Sequence, residues 1–155
     1  MSHSRIYQIS RSPISKDDYI DESRYYDCFV GEIADYVSED TDRDEDIKTL
    51  KASLGDAAVI EGDKLTITNK QSFFKRNYRN WIAMLNKLKD ISLEEFCEPD
   101  KDLNIFRLNC LYNDRHDIYM DDNDEECGNQ TLSDFLRDAD DGDVFYLGAT
   151  IDYHF

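Results

Sequence analysis

The pattern of apolar and polar positions along the chain predicts several helices. The longest lies near residues 71–90, where apolar side chains recur at every third or fourth position and basic side chains fall on the opposite side. Gly31 is a weak point in one of the shorter patterns, and Thr131 opens another in a segment that resembles a capping box. These shorter helical patterns lie at about residues 23–38, 44–54, 93–97 and 132–139.

Other segments predict strands. Two short apolar runs flank Glu-Gly-Asp within residues 57–68, which is typical of a hairpin, and a short strand is predicted near residues 5–9. Residues 103–112 and 117–120 are predicted to pair antiparallel, and the alternation over 144–153 places its apolar side chains on one face. The predicted fold class is therefore α+β, a single domain over 1–155 in which an antiparallel sheet packs against about four helices.

The distribution of charge along the chain adds more to this interpretation than the amino-acid composition does. The chain has 35 Asp and Glu against 18 Lys and Arg, for a formal net charge of −17 on 155 residues. Residues 17–46 hold 13 acids and two bases, residues 90–155 hold 19 acids and four bases, and residues 64–89 hold seven bases and no acid. Net negative charge repels nucleic acid and anionic membranes and speeds encounter with basic partners. Solubility alone does not require such a separation of charge.

The densest acids form three blocks, which we interpret as candidate partner-binding residues for the cationic surface of another protein. The simpler interpretation is solvated loops and helix N-termini. The first block is Asp40, Asp42, Asp44, Glu45 and Asp46. The second is Asp121, Asp122, Asp124, Glu125 and Glu126. The third is Asp138, Asp140, Asp141 and Asp143.

The sequence does not meet the residue spacing that motifs for catalysis or cofactor binding require. An EF-hand loop starting at Asp42 has Ile47 where glycine is needed, and one starting at Asn123 has Cys127 at a ligand position. The three histidines, His3, His116 and His154, have no partner pattern, and there is no glycine-rich phosphate loop. We therefore predict no catalytic residue, no metal and no cofactor, with an irregular cation site in the third block as an alternative.

The basic helix near 71–90 has two interpretations. Its bases and aromatic residues could contact nucleic acid, against the field of the remaining acids. The interpretation we favour places its aromatic side chains in the core and its bases against acidic neighbours.

The cellular compartment of the protein is predicted from sequence features that are missing. Cys28, Cys97, Cys110 and Cys127 lie far apart, so neither a disulfide nor a zinc site is expected. No apolar stretch is long enough to span a bilayer, and residues 1–7 do not resemble a signal peptide. We expect a cytoplasmic protein.

No motif identifies a family, but size and charge make the chain similar to two groups of small acidic proteins. One group comprises the inhibitors, some of them DNA mimics, that phages and mobile elements direct against restriction or CRISPR nucleases. The other comprises immunity proteins against basic nuclease toxins. The expected function is a non-enzymatic inhibitor that covers a basic surface of a nucleic-acid-handling protein. The alternatives are an immunity protein, a metal-dependent enzyme or cation-binding domain using the third block, and an accessory domain whose acidity serves only solubility.

Overall fold

A computed structural model of the chain describes residues 2–98, 101–122 and 128–155. Within these ranges the protein is a mixed α+β domain with one sheet of seven strands, which confirms the predicted fold class. The strands are β1 (His3–Ser10), β2 (Tyr36–Ser38), β3 (Ala58–Glu61), β4 (Lys64–Ile67), β5 (Tyr119–Asp122), β6 (Asn129–Thr131) and β7 (Val144–His154). The α-helices are α1 (Arg43–Leu54), α2 (Lys70–Lys89), α3 (Leu93–Phe96), α4 (Lys101–Asn113) and α5 (Leu132–Asp138).

The sheet is organised around its longest strand, β7. The strand order is β3-β4-β7-β1-β5-β6, and β2 pairs with the final residues of β7. The pairs are antiparallel except β1 with β5, which is parallel. The predicted hairpin is confirmed as β3 and β4, and the predicted last strand is confirmed as β7.

One face of the sheet is covered by α1 and α5. Leu50 of α1 and Leu136 of α5 are fully buried in the same apolar cluster as Tyr7 and Leu65 of the sheet. Asp42 caps α1 by accepting the Glu45 backbone N–H, and Thr131 caps α5. These two predicted helices form because their caps and their apolar spacing agree.

The other face is covered by the segment before α1, and we call residues 17–46, which also include the first turn of α1, the acidic cover. It contains short 3₁₀ turns at Lys16–Asp18 and Glu22–Tyr25 and the strand β2. The ring of Phe29 meets those of Tyr119 and Tyr153 edge-on, at 5.0 and 5.2 Å between centroids. This second core consists of Ile6, Tyr25, Phe29, Ala34, Val37, Tyr119, Ile151 and Tyr153.

A β-bulge in β7 makes the two cores possible. Tyr7 pairs with Thr150 but Ile9 pairs with Leu147, so three steps along β7 match two along β1. An extra residue reverses the side-chain alternation. Consequently Leu147 lies in the helical core and Ile151 in the core under the acidic cover. The prediction that 144–153 presents one apolar face is wrong for this reason.

The side chain of Gln8 fills the bulge. It is buried, and its oxygen accepts the backbone N–H groups of Ala149 at 2.9 Å and Ile20 at 3.2 Å. A Cβ on Gly148 would lie 2.3 Å from that oxygen, so only glycine fits there. Gln8 therefore fixes the bulge and connects the acidic cover to it.

The predicted helix over 23–38 is wrong. Gly31 has φ of +90°, its N–H donates to Ala34 O at 2.8 Å, and the chain then extends into β2. The apolar residues at helical spacing still face the sheet, because turns bring them there. The apolar spacing correctly identified the core-facing residues but not the backbone that carries them.

The predicted strand at 103–112 is also wrong, because these residues lie in α4, which packs against α2. The predicted strand at 117–120 exists as β5, two residues later, and pairs with β1 and β6 instead. Apolar residues at Phe106, Leu108, Leu111 and Tyr112 fit a helix as well as a strand, and the partner helix decides between them.

Cysteine pairing corrects another expectation. Cys28 is disulfide-bonded, whereas Cys97 and Cys110 are free. Sequence separation cannot exclude a bridge, because the fold decides which cysteines meet. None of the helices in the described part of the chain is long and apolar enough to cross a bilayer.

Candidate partner-binding surface

The acidic cover presents most of its carboxylates to solvent. Eleven of its 13 acids are exposed, whereas Glu22 is half-buried and Asp46 is buried. Its core residues point toward the sheet, which leaves the intervening polar positions outside. The exposed acids are Asp17, Asp18, Asp21, Asp27, Glu32, Asp35, Glu39, Asp40, Asp42, Asp44 and Glu45.

Both bases of the acidic cover bind groups that lie outside it in the sequence. Arg24 donates two hydrogen bonds to Asp121, at 2.8 and 3.1 Å, and the Tyr25 hydroxyl donates to the same carboxylate at 2.6 Å. Arg43 donates to the backbone oxygen of Gly148 at 2.8 Å and to Asp63 at 2.8 Å. Neither base therefore shields the outer acids.

The exposed acids are also nearly free of cations from elsewhere in the fold. Among the described residues, Glu45 is the one exposed acid of the cover that forms an ion pair, with Lys48. Hydrogen bonds from Ser23 hold the pKa of Asp21 below its usual range, which keeps that carboxylate charged. Within the described residues, the other ten exposed acids of the cover therefore form no ion pair.

Two tyrosines stand exposed among these carboxylates. Tyr26 is 51% exposed and Tyr36 is 49% exposed, and the Tyr26 hydroxyl donates to Glu22 at 2.6 Å. Tyrosine is enriched at protein interfaces, where its ring gives contact area at low entropic cost. The surface thus combines charge with two aromatic anchors.

The first predicted block lies largely on this surface. Asp40, Asp42, Asp44 and Glu45 are exposed at the end of β2 and the start of α1. Asp46 is buried, where it accepts hydrogen bonds from Arg5 at 2.6 Å and Thr150 at 2.7 Å. The structure removes Asp46 from the partner-binding candidates because its carboxylate serves the interior.

The second block is divided. Asp121 is fully buried and holds Arg24 and Tyr25, so it is removed from the candidates for the same reason. Asp122 is half-buried at the end of β5. The rest of that block, Asp124, Glu125 and Glu126, lies outside the described residues.

The third block forms the turn before β7. Asp143 accepts hydrogen bonds from Arg11 at 3.2 Å and from the Asp140 backbone N–H at 3.0 Å, which lower its pKa. Asp141 accepts the Lys70 backbone N–H at 2.9 Å. Asp138, Asp140 and Asp141 are exposed, but the turn uses its carboxylates to bind N–H groups and cations.

The blocks do not meet on one face. Thr41 and Asp46, within the first block's segment, both form hydrogen bonds with Thr150 of β7, whereas Asp143 precedes the start of that strand. At about 3.3 Å per residue, Thr150 and Asp143 are about 23 Å apart. Asp122 of the second block and Asp138 of the third line one cavity of about 160 Å³, at the end of the sheet where β7 begins.

Sequence reasoning missed part of the acidic cover. Asp17, Asp18, Asp21, Asp27, Glu32, Asp35 and Glu39 belong to the surface but to none of the three blocks. The available signal was the count of 13 acids over residues 17–46. Grouping acids by consecutive letters left these exposed acids out, because they are scattered along the segment.

The basic helix is placed differently from the favoured interpretation. Within α2 only Phe73 is fully buried, and Tyr78 is exposed. Lys70 lies 3.9 Å from Asp140, but in the described part of the chain no ion pair forms at the exposed bases Lys75, Arg79, Lys87 and Lys89. Internal neutralisation of the acids by this helix is therefore slight.

Two histidines also belong to a polar cluster that the sequence did not indicate. Nδ1 of His3 lies 3.1 Å and Nε2 of His154 lies 2.9 Å from the same oxygen, Oδ2 of Asp152. Arg5 binds the other oxygen of that carboxylate. The signal was His-x-Arg near one end of the sequence and Asp-x-His near the other, on what proved to be adjoining antiparallel strands. His116 lies in the turn after α4, where it is half-buried and its ring stacks on that of Phe155 with 4.3 Å between centroids.

No protein-family model, curated protein or solved structure matches the chain.

Proposed function

We propose that the protein is a non-enzymatic inhibitor whose acidic cover binds the basic surface of a nucleic-acid-handling protein. The observation that carries the proposal is the set of eleven exposed acids in the acidic cover, whose two accompanying bases bind groups outside it. A nucleic-acid-binding partner supplies the complement, because it carries a dense groove of Lys and Arg for phosphates.

The arrangement favours binding over solubility. The buried aromatic core of the cover holds the acids on a fixed support, so little order has to be gained on association. Exposed Tyr26 and Tyr36 add apolar contact area that a purely solubilising surface does not need.

The test measures DNA cleavage by a panel of restriction enzymes, CRISPR nucleases and basic nuclease toxins, with and without the protein. We expect inhibition of at least one class, weakening as salt is raised because the charges act at the surface. Neighbouring genes and the class inhibited separate an immunity protein from an inhibitor of host defence. Full cleavage across the panel at low salt would contradict the proposal.

A matched pair of variants tests the surface itself. One variant carries Asp17→Asn, Asp27→Asn, Asp35→Asn and Asp40→Asn in the acidic cover, and its control carries Asp56→Asn, Glu61→Gln, Asp90→Asn and Glu94→Gln. All eight side chains are exposed, and each variant removes four negative charges. At roughly 0.3–0.5 kcal/mol per charge, the first is expected to weaken inhibition by about tenfold and the control by much less. Equal losses would mean that net charge, and not this surface, is responsible.

The cation-binding alternative gains no support from the third block. Asp141 and Asp143 accept N–H donors, and Asp140 faces Lys70. A divalent ion would have to displace these partners.

A further inference from the structure

We propose that His3, Asp152 and His154 form a binding site for a divalent transition metal, with Zn²⁺ as the ion to test. It is the one group of three His, Cys, Asp or Glu side chains in the described ranges whose ligand atoms all lie within 4.8 Å of one another. The site adjoins the acidic cover at Tyr36, whose ring lies 4.3 Å from that of His154, but the proposal does not rest on the proposed inhibitory function.

The spacing of the ligand atoms suits a metal ion. Oδ2 of Asp152 lies 3.1 Å from Nδ1 of His3 and 2.9 Å from Nε2 of His154. Ligands about 2.0–2.2 Å from a tetrahedral zinc ion lie about 3.3–3.6 Å from one another, so the nitrogens would each move back from Oδ2 by a few tenths of an ångström. A metal could therefore replace the present hydrogen bonds with little movement of the backbone.

The backbone that carries these ligands is rigid. His3 pairs with His154 across β1 and β7, and the two rings are 3.7 Å apart between centroids. Tyr36 pairs with His154 from the other side, with the rings 4.3 Å apart. The three ligands lie on the paired strands β1 and β7, and β2 pairs with β7 on its other side. Strands position ligands more precisely than loops do.

A second layer of contacts holds the carboxylate. Arg5 binds Oδ1 of Asp152 and also donates to the buried Asp46 at 2.6 Å, so Oδ2 is the oxygen directed at both histidines. The His3 side chain is 49% exposed, whereas those of Asp152 and His154 are nearly buried. A bound ion would thus have three protein ligands and an open side for water, the arrangement of non-structural zinc sites.

Ligand chemistry selects the ion. Imidazole nitrogens suit zinc and other late first-row metals, whereas Mg²⁺ and Ca²⁺ prefer oxygen ligands. Affinity should be moderate, because Nδ1 of His154 is buried without a hydrogen-bond partner in the described structure. Metal-bound imidazoles are strengthened when that second nitrogen donates to an acceptor.

The experiment is titration calorimetry of Zn²⁺ into tag-free protein stripped of metal, in an excess of Mg²⁺ that occupies weak carboxylate sites. Melting temperature with and without Zn²⁺ is the second readout. Cu²⁺ and Ni²⁺ are left out, because backbone amides near a chain end can bind them in square-planar sites without the cluster. The variants are His3→Gln, Asp152→Asn and the control His116→Asn, which removes the one other histidine.

We expect one Zn²⁺ per chain, a raised melting temperature, and at least roughly tenfold weaker binding in His3→Gln and Asp152→Asn. The control should bind as the unaltered protein does. His3→Gln keeps the result interpretable if Asp152→Asn fails to fold, because the His3 side chain is half-exposed. Absence of binding at about 1 mM Zn²⁺, or equal affinity in His3→Gln, would overturn the proposal.

Discussion

The two faces of the sheet bury apolar side chains equally well but are covered in different ways. On one face, Leu50 and Leu136 belong to regular helices with caps. On the other face, Tyr25 and Phe29 belong to turns, and the same depth of burial is reached without an α-helix. A core forms when apolar side chains occupy the right positions, and turns can place them there as helices do.

The elements that cover the two faces also differ in their surface charge. The exposed surface of α5 carries both signs, as in the Asp134–Arg137 pair, whereas the acidic cover carries exposed acids and its two bases bind groups outside it. Close-packed like charges oppose folding. The aromatic core beneath the cover must offset that repulsion, so it should be the more sensitive of the two cores to low salt.

The largest expected effect comes from truncating each core in turn. Phe29→Ala and Leu50→Ala should each lower the free energy of unfolding by about 3–5 kcal/mol, because both side chains are fully buried. Chemical denaturation measures this loss. Hydrogen exchange should then show the Phe29→Ala change concentrated in residues 17–46 and the Leu50→Ala change spread over the sheet. If both variants exchange alike, the two covers form a single cooperative unit and the comparison fails.

Asp121→Asn should have the next largest effect. The carboxylate is fully buried and holds Arg24 and Tyr25, so it ties the acidic cover to β5. Weakening this buried pair should cost about 3 kcal/mol. The control is Asp134→Asn, whose exposed pair with Arg137 should contribute well under 1 kcal/mol. Thermal unfolding that moves equally in both variants would mean that the buried pair does not anchor the cover.

Gly148→Ala should have the smallest of the three effects, a loss of about 1–3 kcal/mol, because the new methyl group would overlap Gln8. The same change made together with Gln8→Ala should cost less, since the overlapping atoms are gone. Comparing the four proteins by denaturation isolates the contact. If the cost is the same in both backgrounds, the bulge is held by something other than Gln8.

The sequence predicted the helical face far better than the acidic cover. The bounds of α1, α2 and α5 are close to those expected, because caps and apolar spacing are local signals. Residues 23–38 have a helical spacing that the turn at Gly31 and the pairing of β2 override. Residues 103–112 became a helix because α2 offers a surface for one.

The candidate sites show the same limit. The charge count located the acidic cover, but the inward turn of Arg24 and the burial of Asp46 and Asp121 depend on partners about 40–100 residues away, beyond any local pattern. His3 and Asp152 are 149 residues apart along the chain and meet only through the register of β1 with β7.

The pairing of β1 with β7 continues to the residues that flank it. The Ser2 N–H donates to Phe155 O at 3.2 Å, and the Phe155 N–H donates to Ser2 O at 3.0 Å. Peptides fused before residue 2 and after residue 155 would therefore leave the domain side by side. A short linker between them would close the chain into a ring, and reopening it at the turn around Gly62 would give a circular permutant with the same sheet.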